Sequence, residues 1–138
     1  MFRRSALAAP LSLLAAALAA CGSRPGRDPR AGQPLPVVFF TDDSAAMGPE
    51  ARAVIAQAAE QARGRPGVPV AVRGFTAPEP PASPAFSRAL AEARAQNVAD
   101  ALVAGGVSRD RIRVQPRPPA SFEMMPVESR RVEIHIGA

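Results

Sequence analysis

From residue 37 onward, apolar positions alternate between short strand-like runs and longer helical ones. Val37-Val38-Phe39-Phe40 is a short apolar run that predicts a strand. Gly48-Pro49-Glu50 then opens a helix: the proline lacks an N–H that the first turn leaves unbonded anyway, and the glutamate sits at the positive end of the helix dipole. Val54, Ile55, Ala58 and Ala62 recur at helical spacing until Gly64–Gly67 ends the run. Val68, Val70 and Val72 alternate, which predicts a strand from Val68 to Arg73 closed by Gly74; Pro69 places it at a sheet edge. After the loop Ala77–Pro84, a long helix carries Phe86, Leu90, Ala93, Asn97, Val98, Ala101 and Leu102 on one face and stops at Gly105-Gly106. Arg111–Gln115 reads as another strand, followed by a loop with Pro116, Pro118 and Pro119. In the last strand, Arg131–Ile136, Val132, Ile134 and Ile136 alternate with Glu133 and His135, so His135 is expected to face solvent. The order β-α-β-α-β-β predicts an α/β (α+β) two-layer sandwich, with two helices packed on a small mixed sheet.

The first 36 residues follow no such pattern. Arg3 and Arg4 precede an apolar run from Ala6 to Ala20 that has the length and flanks of a secretory signal rather than a membrane span. It ends in Leu18-Ala19-Ala20-Cys21-Gly22, which resembles the bacterial lipobox. That resemblance implies cleavage before Cys21 and lipidation of its thiol, leaving the mature chain tethered to a membrane. Gly22, where an aspartate would retain the protein at the inner membrane, points to the outer membrane, with the folded part facing the periplasm. Ser23–Pro36 is rich in Pro, Gly and Arg and reads as an extended spacer. The expected organisation is a signal peptide at 1–20, a lipidated cysteine and tether at 21–36, and one domain at 37–138.

Charge changes the picture less than its total suggests. The chain has 138 residues, and its formal charge of +5 arises from 17 arginines, with no lysine, against 12 acids. From Val37 onward there are 12 arginines against 11 acids, interspersed along the sequence. A nearly neutral domain with no Trp and no Tyr argues against a nucleic-acid partner. One cysteine and one histidine exclude a disulfide framework and a Cys- or His-based metal site, and no cofactor is expected. Met124-Met125 is expected to fill a gap beneath the last loop.

The domain resembles the OmpA-like, peptidoglycan-associating family. The family's opening V-x-F-x-F-D-S-A-x-L is matched by Val38, Phe40, Asp43, Ser44, Ala45 and Met47. Its central G-H-T-D-x-x-G-x(4)-N-x-x-L-S-x-x-R-A-x-x-V is matched by Gly74, Thr76, Leu90, Arg94, Ala95 and Val98. Its closing N-R-R-V-E-I appears as Ser129-Arg130-Arg131-Val132-Glu133-Ile134, and Gly106-Val107 with Arg111-Ile112 fits the turn into the third strand. The resemblance implies non-covalent binding of a diaminopimelate-containing peptidoglycan stem peptide. In that scheme an aspartate holds the ammonium and an arginine holds the carboxylate of the zwitterion. Arg94 keeps the arginine position, but Ala77 stands in place of the aspartate. Phe75, Ser87 and Ala91 replace the family's His, Asn and Ser, and Pro116, Pro118 and Pro119 replace its G-x-G-E. Glu79 lies at the motif's own separation from Arg94 and is the candidate to restore the missing carboxylate; Asp43 is a second acid in reach. Thr76 and Arg131 complete the candidate ligand set; for Arg130 and Arg131 the other reading is edge solubility and ion pairing. Arg94 also adjoins the apolar helix face, where an arginine stem can simply cover the core. For Asp43 and Ser44 the alternative is a turn or cap role.

Two functions follow. One is an outer-membrane lipoprotein whose domain binds the stem peptide and links membrane to cell wall. The other is a degenerate domain of the same fold, acting as a structural or interaction subunit with envelope protein partners. No paired carboxylates or Ser–His–Asp arrangement supports an enzyme.

Overall fold

The computed structural model describes residues 33–41, 43–77, 83–119 and 129–137. Two helices pack on one face of a four-stranded mixed sheet, in the order β1 (Val37–Phe39), α1 (Pro49–Arg63), β2 (Val70–Gly74), α2 (Pro84–Ala104), β3 (Ile112–Pro116) and β4 (Arg131–Ile136). The strands lie side by side as β1-β4-β2-β3. β4 is antiparallel to both β1 and β2, whereas β3 runs parallel to β2, as a strand returning through a crossover helix must. These elements lie in one compact unit, Pro34–Ala138. Among the described residues the core is drawn from this unit's own strands and helices, as a unit that folds on its own requires. Among the described residues no helix is long and apolar enough to cross a membrane.

Each helix begins where its sequence allows. Pro49 follows the extended Gly48 at the head of α1, with Glu50 in the first turn and Arg63 in the last, both favourable against the dipole. At α2 the Ser83 hydroxyl accepts the Phe86 N–H at 3.1 Å, satisfying a donor that the first turn leaves open. Ile55, Ala58 and Ala62 of α1 and Val98 and Leu102 of α2 meet Val38, Val70, Val72, Val132 and Ile134 of the sheet.

Three sequence expectations change. β2 is an interior strand between β4 and β3, not an edge. Pro69 lies just outside its paired span and costs no ladder hydrogen bond; its carbonyl accepts the Gly137 N–H at 2.7 Å. β3 begins at Ile112, because Arg109–Arg111 forms a 3₁₀ turn. The buried face of α2 is turned from the expected one: Ser87, Ala91, Arg94, Ala95, Val98, Ala99 and Leu102 face inward. Phe86, Ala93 and Asn97 are exposed. Small side chains are required inward because strand and helix nearly touch at Gly74, where an added Cβ would stand 2.1 Å from the Ala91 carbonyl oxygen.

Arginine also ties the fold together at the entry to β2. Arg111 donates to the carbonyls of Ala62 (2.9 Å), Arg65 (2.9 Å) and Val68 (3.0 Å), joining the end of α1 to the incoming strand. A planar guanidinium with five donors can serve three acceptors at once, which an ammonium on a flexible stem does less well.

Candidate functional site

At the opposite end of β2, Arg94 plays a similar part in a deeper setting. It is fully buried, at 0% exposure. Its Nε donates to the Ser44 carbonyl at 2.9 Å, Nη1 to Phe75 at 3.2 Å and Nη2 to Thr41 at 3.2 Å. The guanidinium carbon lies 5.3 Å from the centre of the Phe40 ring. Thus one helical side chain joins the β1–α1 loop to the exit of β2. One turn further along α2, the Asn97 amide donates to the Ala45 carbonyl at 2.9 Å and fixes the same loop. Burial pushes the Arg94 guanidinium below its ordinary value, and the Asp43 carboxylate opposes that shift by Coulombic attraction.

Of the expected ligand set, Arg94, Asp43 and Thr76 come together here. Asp43 is exposed on the rim, in the turn whose neighbouring carbonyls hold Arg94. Ser44 accepts the Ala46 N–H through its hydroxyl at 3.0 Å, a local turn rather than the cap of α1. Thr76 follows Phe75 at the end of β2, is 3% exposed, and its hydroxyl oxygen has no hydrogen-bond partner among the described residues. A buried hydroxyl left without a partner costs about 1–3 kcal/mol, which a hydrogen bond to a bound group would recover. Ala77, at the motif's aspartate position, is half-buried. Glu79 and Cys21 lie outside the described residues, as do Met124 and Met125.

Arg131 goes elsewhere. Its neighbour Val132 points under the helices, so strand alternation sends Arg131 to the opposite face of the sheet from Arg94. There its guanidinium stacks 4.3 Å from the centre of the Phe75 ring and its Nε donates to Glu133 Oε1 at 2.8 Å. His135 is not simply bathed in solvent: its Nε2 lies 2.9 Å from Glu133 Oε2. Burial pushes the Glu133 carboxyl up, but the hydrogen bonds from His135 and Arg131, with their charges, outweigh it and hold the group below the ordinary carboxylate value. A carboxyl that titrates lower folded than unfolded stabilises the fold fully above its unfolded value, near ~4.3, and loses that contribution as pH falls through the folded one. Glu133→Gln is therefore expected to cost about 1 kcal/mol at pH 7, a figure that allows for solvent screening. Urea unfolding at stepped pH checks this: the gap from the unaltered protein should close below pH about 4.

The partners of Arg94 escaped the sequence because three of them are backbone carbonyls, which any residue supplies. Asn97 carried a faint signal, a polar residue amid apolar ones on α2.

Comparison with known proteins agrees with this fold. By sequence, no curated protein gives a significant match. Among solved structures, the peptidoglycan-associated lipoprotein from Burkholderia pseudomallei is similar with a TM-score of 0.65 at 21% identity, over 72% of this chain and 88% of that one. The OmpA-like domain of FopA1 from Francisella tularensis subsp. tularensis is similar at TM-score 0.65 and 21% identity, over 71% and 68%. The C-terminal domain of Helicobacter pylori MotB follows at TM-score 0.63 and 24% identity, over 74% and 84%. At these identities the likenesses concern the fold. The family description that matches is "OmpA family", over residues 39–118, more than half of the sequence. The chain belongs to the OmpA family.

Proposed function

We propose that the chain is an outer-membrane lipoprotein, anchored through acyl groups on Cys21, whose folded unit binds the peptidoglycan stem peptide non-covalently in the periplasm. The observation that carries this reading is the buried Arg94 at the place of the family's arginine, holding together the two loops that border Thr76 and Asp43. Because its three nitrogens already serve loop carbonyls, Arg94 works from beneath. Its positive charge favours a carboxylate laid over the end of β2, while the Thr76 hydroxyl offers a hydrogen bond. With Ala77 in place of the aspartate, the ammonium end falls to Asp43 on the rim, and Glu79 is the second acid assigned to it. Membership of the OmpA family and the name of the Burkholderia relative support the reading, which makes the protein a binding module rather than an enzyme.

Co-sedimentation of the Pro34–Ala138 unit with purified sacculi tests it. Asp43 is exposed, so Asp43→Asn is expected to keep the fold, which thermal unfolding of the variant checks. The substitution is expected to weaken sedimentation about ten-fold, the worth of one charge-assisted hydrogen bond. Isothermal titration of Glu79→Ala with a diaminopimelate-containing muropeptide decides whether that acid contributes. If the unaltered unit does not sediment at all, the domain has lost its ligand and serves as an interaction subunit among envelope proteins.

A further inference from the structure

Charges that are interspersed along the sequence are sorted by the sheet. Strand alternation sends Val70, Val72, Val132 and Ile134 beneath the helices and their neighbours to the opposite face. β2, β3 and β4 each place an arginine on that face: Arg73, Arg113 and Arg131. Arg117 extends the row, since its N–H continues the ladder to the Gly74 carbonyl at 2.8 Å. Against these four, Glu133 is the one carboxylate that the strands contribute there. Arg113 and Arg117 are exposed. Phe39, opposite Arg131 in the β1–β4 register, shares the face and is 51% exposed.

We propose that the exposed residues of this sheet face dock on the anionic headgroups of a phospholipid bilayer, Arg113 and Arg117 meeting phosphates and Phe39 entering the interface, while Arg131 stays paired with Glu133. Charge complementarity selects the partner: guanidinium groups bind phosphate in a planar, two-pronged geometry. The strand-built face presents these groups side by side, as a membrane plane requires. An exposed aromatic beside cations is the usual composition of an interfacial surface. The surface is separate from the Arg94 cluster, which lies in the helix layer, and the docking does not depend on stem-peptide binding.

Sedimentation with vesicles of phosphatidylcholine containing phosphatidylglycerol, using the Pro34–Ala138 unit without any lipid anchor, tests the proposal. Binding is expected at low salt and is lost in pure phosphatidylcholine or high salt. Arg113→Gln with Arg117→Gln should weaken it roughly twenty-five-fold, about five-fold per arginine at an anionic surface. Arg52→Gln with Arg88→Gln removes the same charge from exposed positions on the helices and should leave binding nearly unchanged. An equal loss from the helix-side pair, or no binding to anionic vesicles at low salt, overturns the proposal. So does a loss of sacculus rather than vesicle binding in the Arg113/Arg117 variant. Failure of the unaltered unit to bind sacculi, with vesicle binding intact, counts against the stem-peptide reading alone.

Discussion

Replacing Arg94 by alanine is expected to destabilise the Pro34–Ala138 unit by about 4 kcal/mol, a large share of the ~5–15 kcal/mol that holds an ordinary domain folded. The side chain is fully buried and donates to three carbonyls, those of Thr41, Ser44 and Phe75. Truncation strips a donor from each, leaves a cavity, and releases the β1–α1 loop from the end of β2. Removing the charge also removes the cost of burying it, which is why the expected loss is smaller than the sum of the bonds. Arg94→Met isolates that balance: it keeps much of the volume, discards the charge, and still leaves the carbonyls unmet. Arg94→Lys keeps the charge but cannot aim donors in three fixed directions. Thermal unfolding should rank the variants as Lys mildest, Met next and Ala worst, with Ala losing about 15 °C or more. A shift of a few degrees for Ala would mean that the carbonyls find water readily and that Arg94 is not the tie between the loops.

This dual position explains how much of the protein was legible beforehand. The strands and helices could be read because their apolar spacing is regular, as in Val70–Val72 and Val132–Ile134. The face of α2 could not. Phe86 and Leu90 are the large apolar residues of its first turns, and a periodicity reading follows them outward. The face that packs is built of Ser87, Ala91 and Ala95, chosen for size where Gly74 presses on the helix. Arg94 was reached through its place in a family pattern, yet its carbonyl partners have no side-chain signature. Arg131 was placed in the same set by its motif, with ion pairing as its other reading, and the structure shows the ion pair, to Glu133. The alternation with Val132 and Ile134 already held the contrary information, since a residue between two core positions of a strand faces the other way. Interspersed charge in the sequence likewise concealed a sorted sheet face, because sorting happens only when strands lie side by side.

The second large effect lies at Gly74 itself. A Cβ built there stands 2.1 Å from the Ala91 carbonyl oxygen, 3.0 Å from its carbonyl carbon and 3.1 Å from the Ala95 Cβ. The nearest obstacle is helix backbone, which cannot rotate aside as a side chain would. Gly74→Ala must therefore lift α2 from the sheet or bend the end of β2, at an expected cost of about 3 kcal/mol, the upper part of the range for overpacking a core. The displaced helix turn adjoins Arg94, so lifting it also stretches the bonds to Phe75 and Thr41. The two substitutions should then be less than additive: once Arg94→Ala has broken the tie, the helix moves more freely and Gly74→Ala costs less. A double-mutant cycle by urea unfolding is expected to show about 1 kcal/mol of coupling. Strict additivity would mean that the helix yields at Gly74 without disturbing the arginine. The strand exit and the guanidinium would then be independent features rather than the two sides of one joint that shapes the binding end of the sheet.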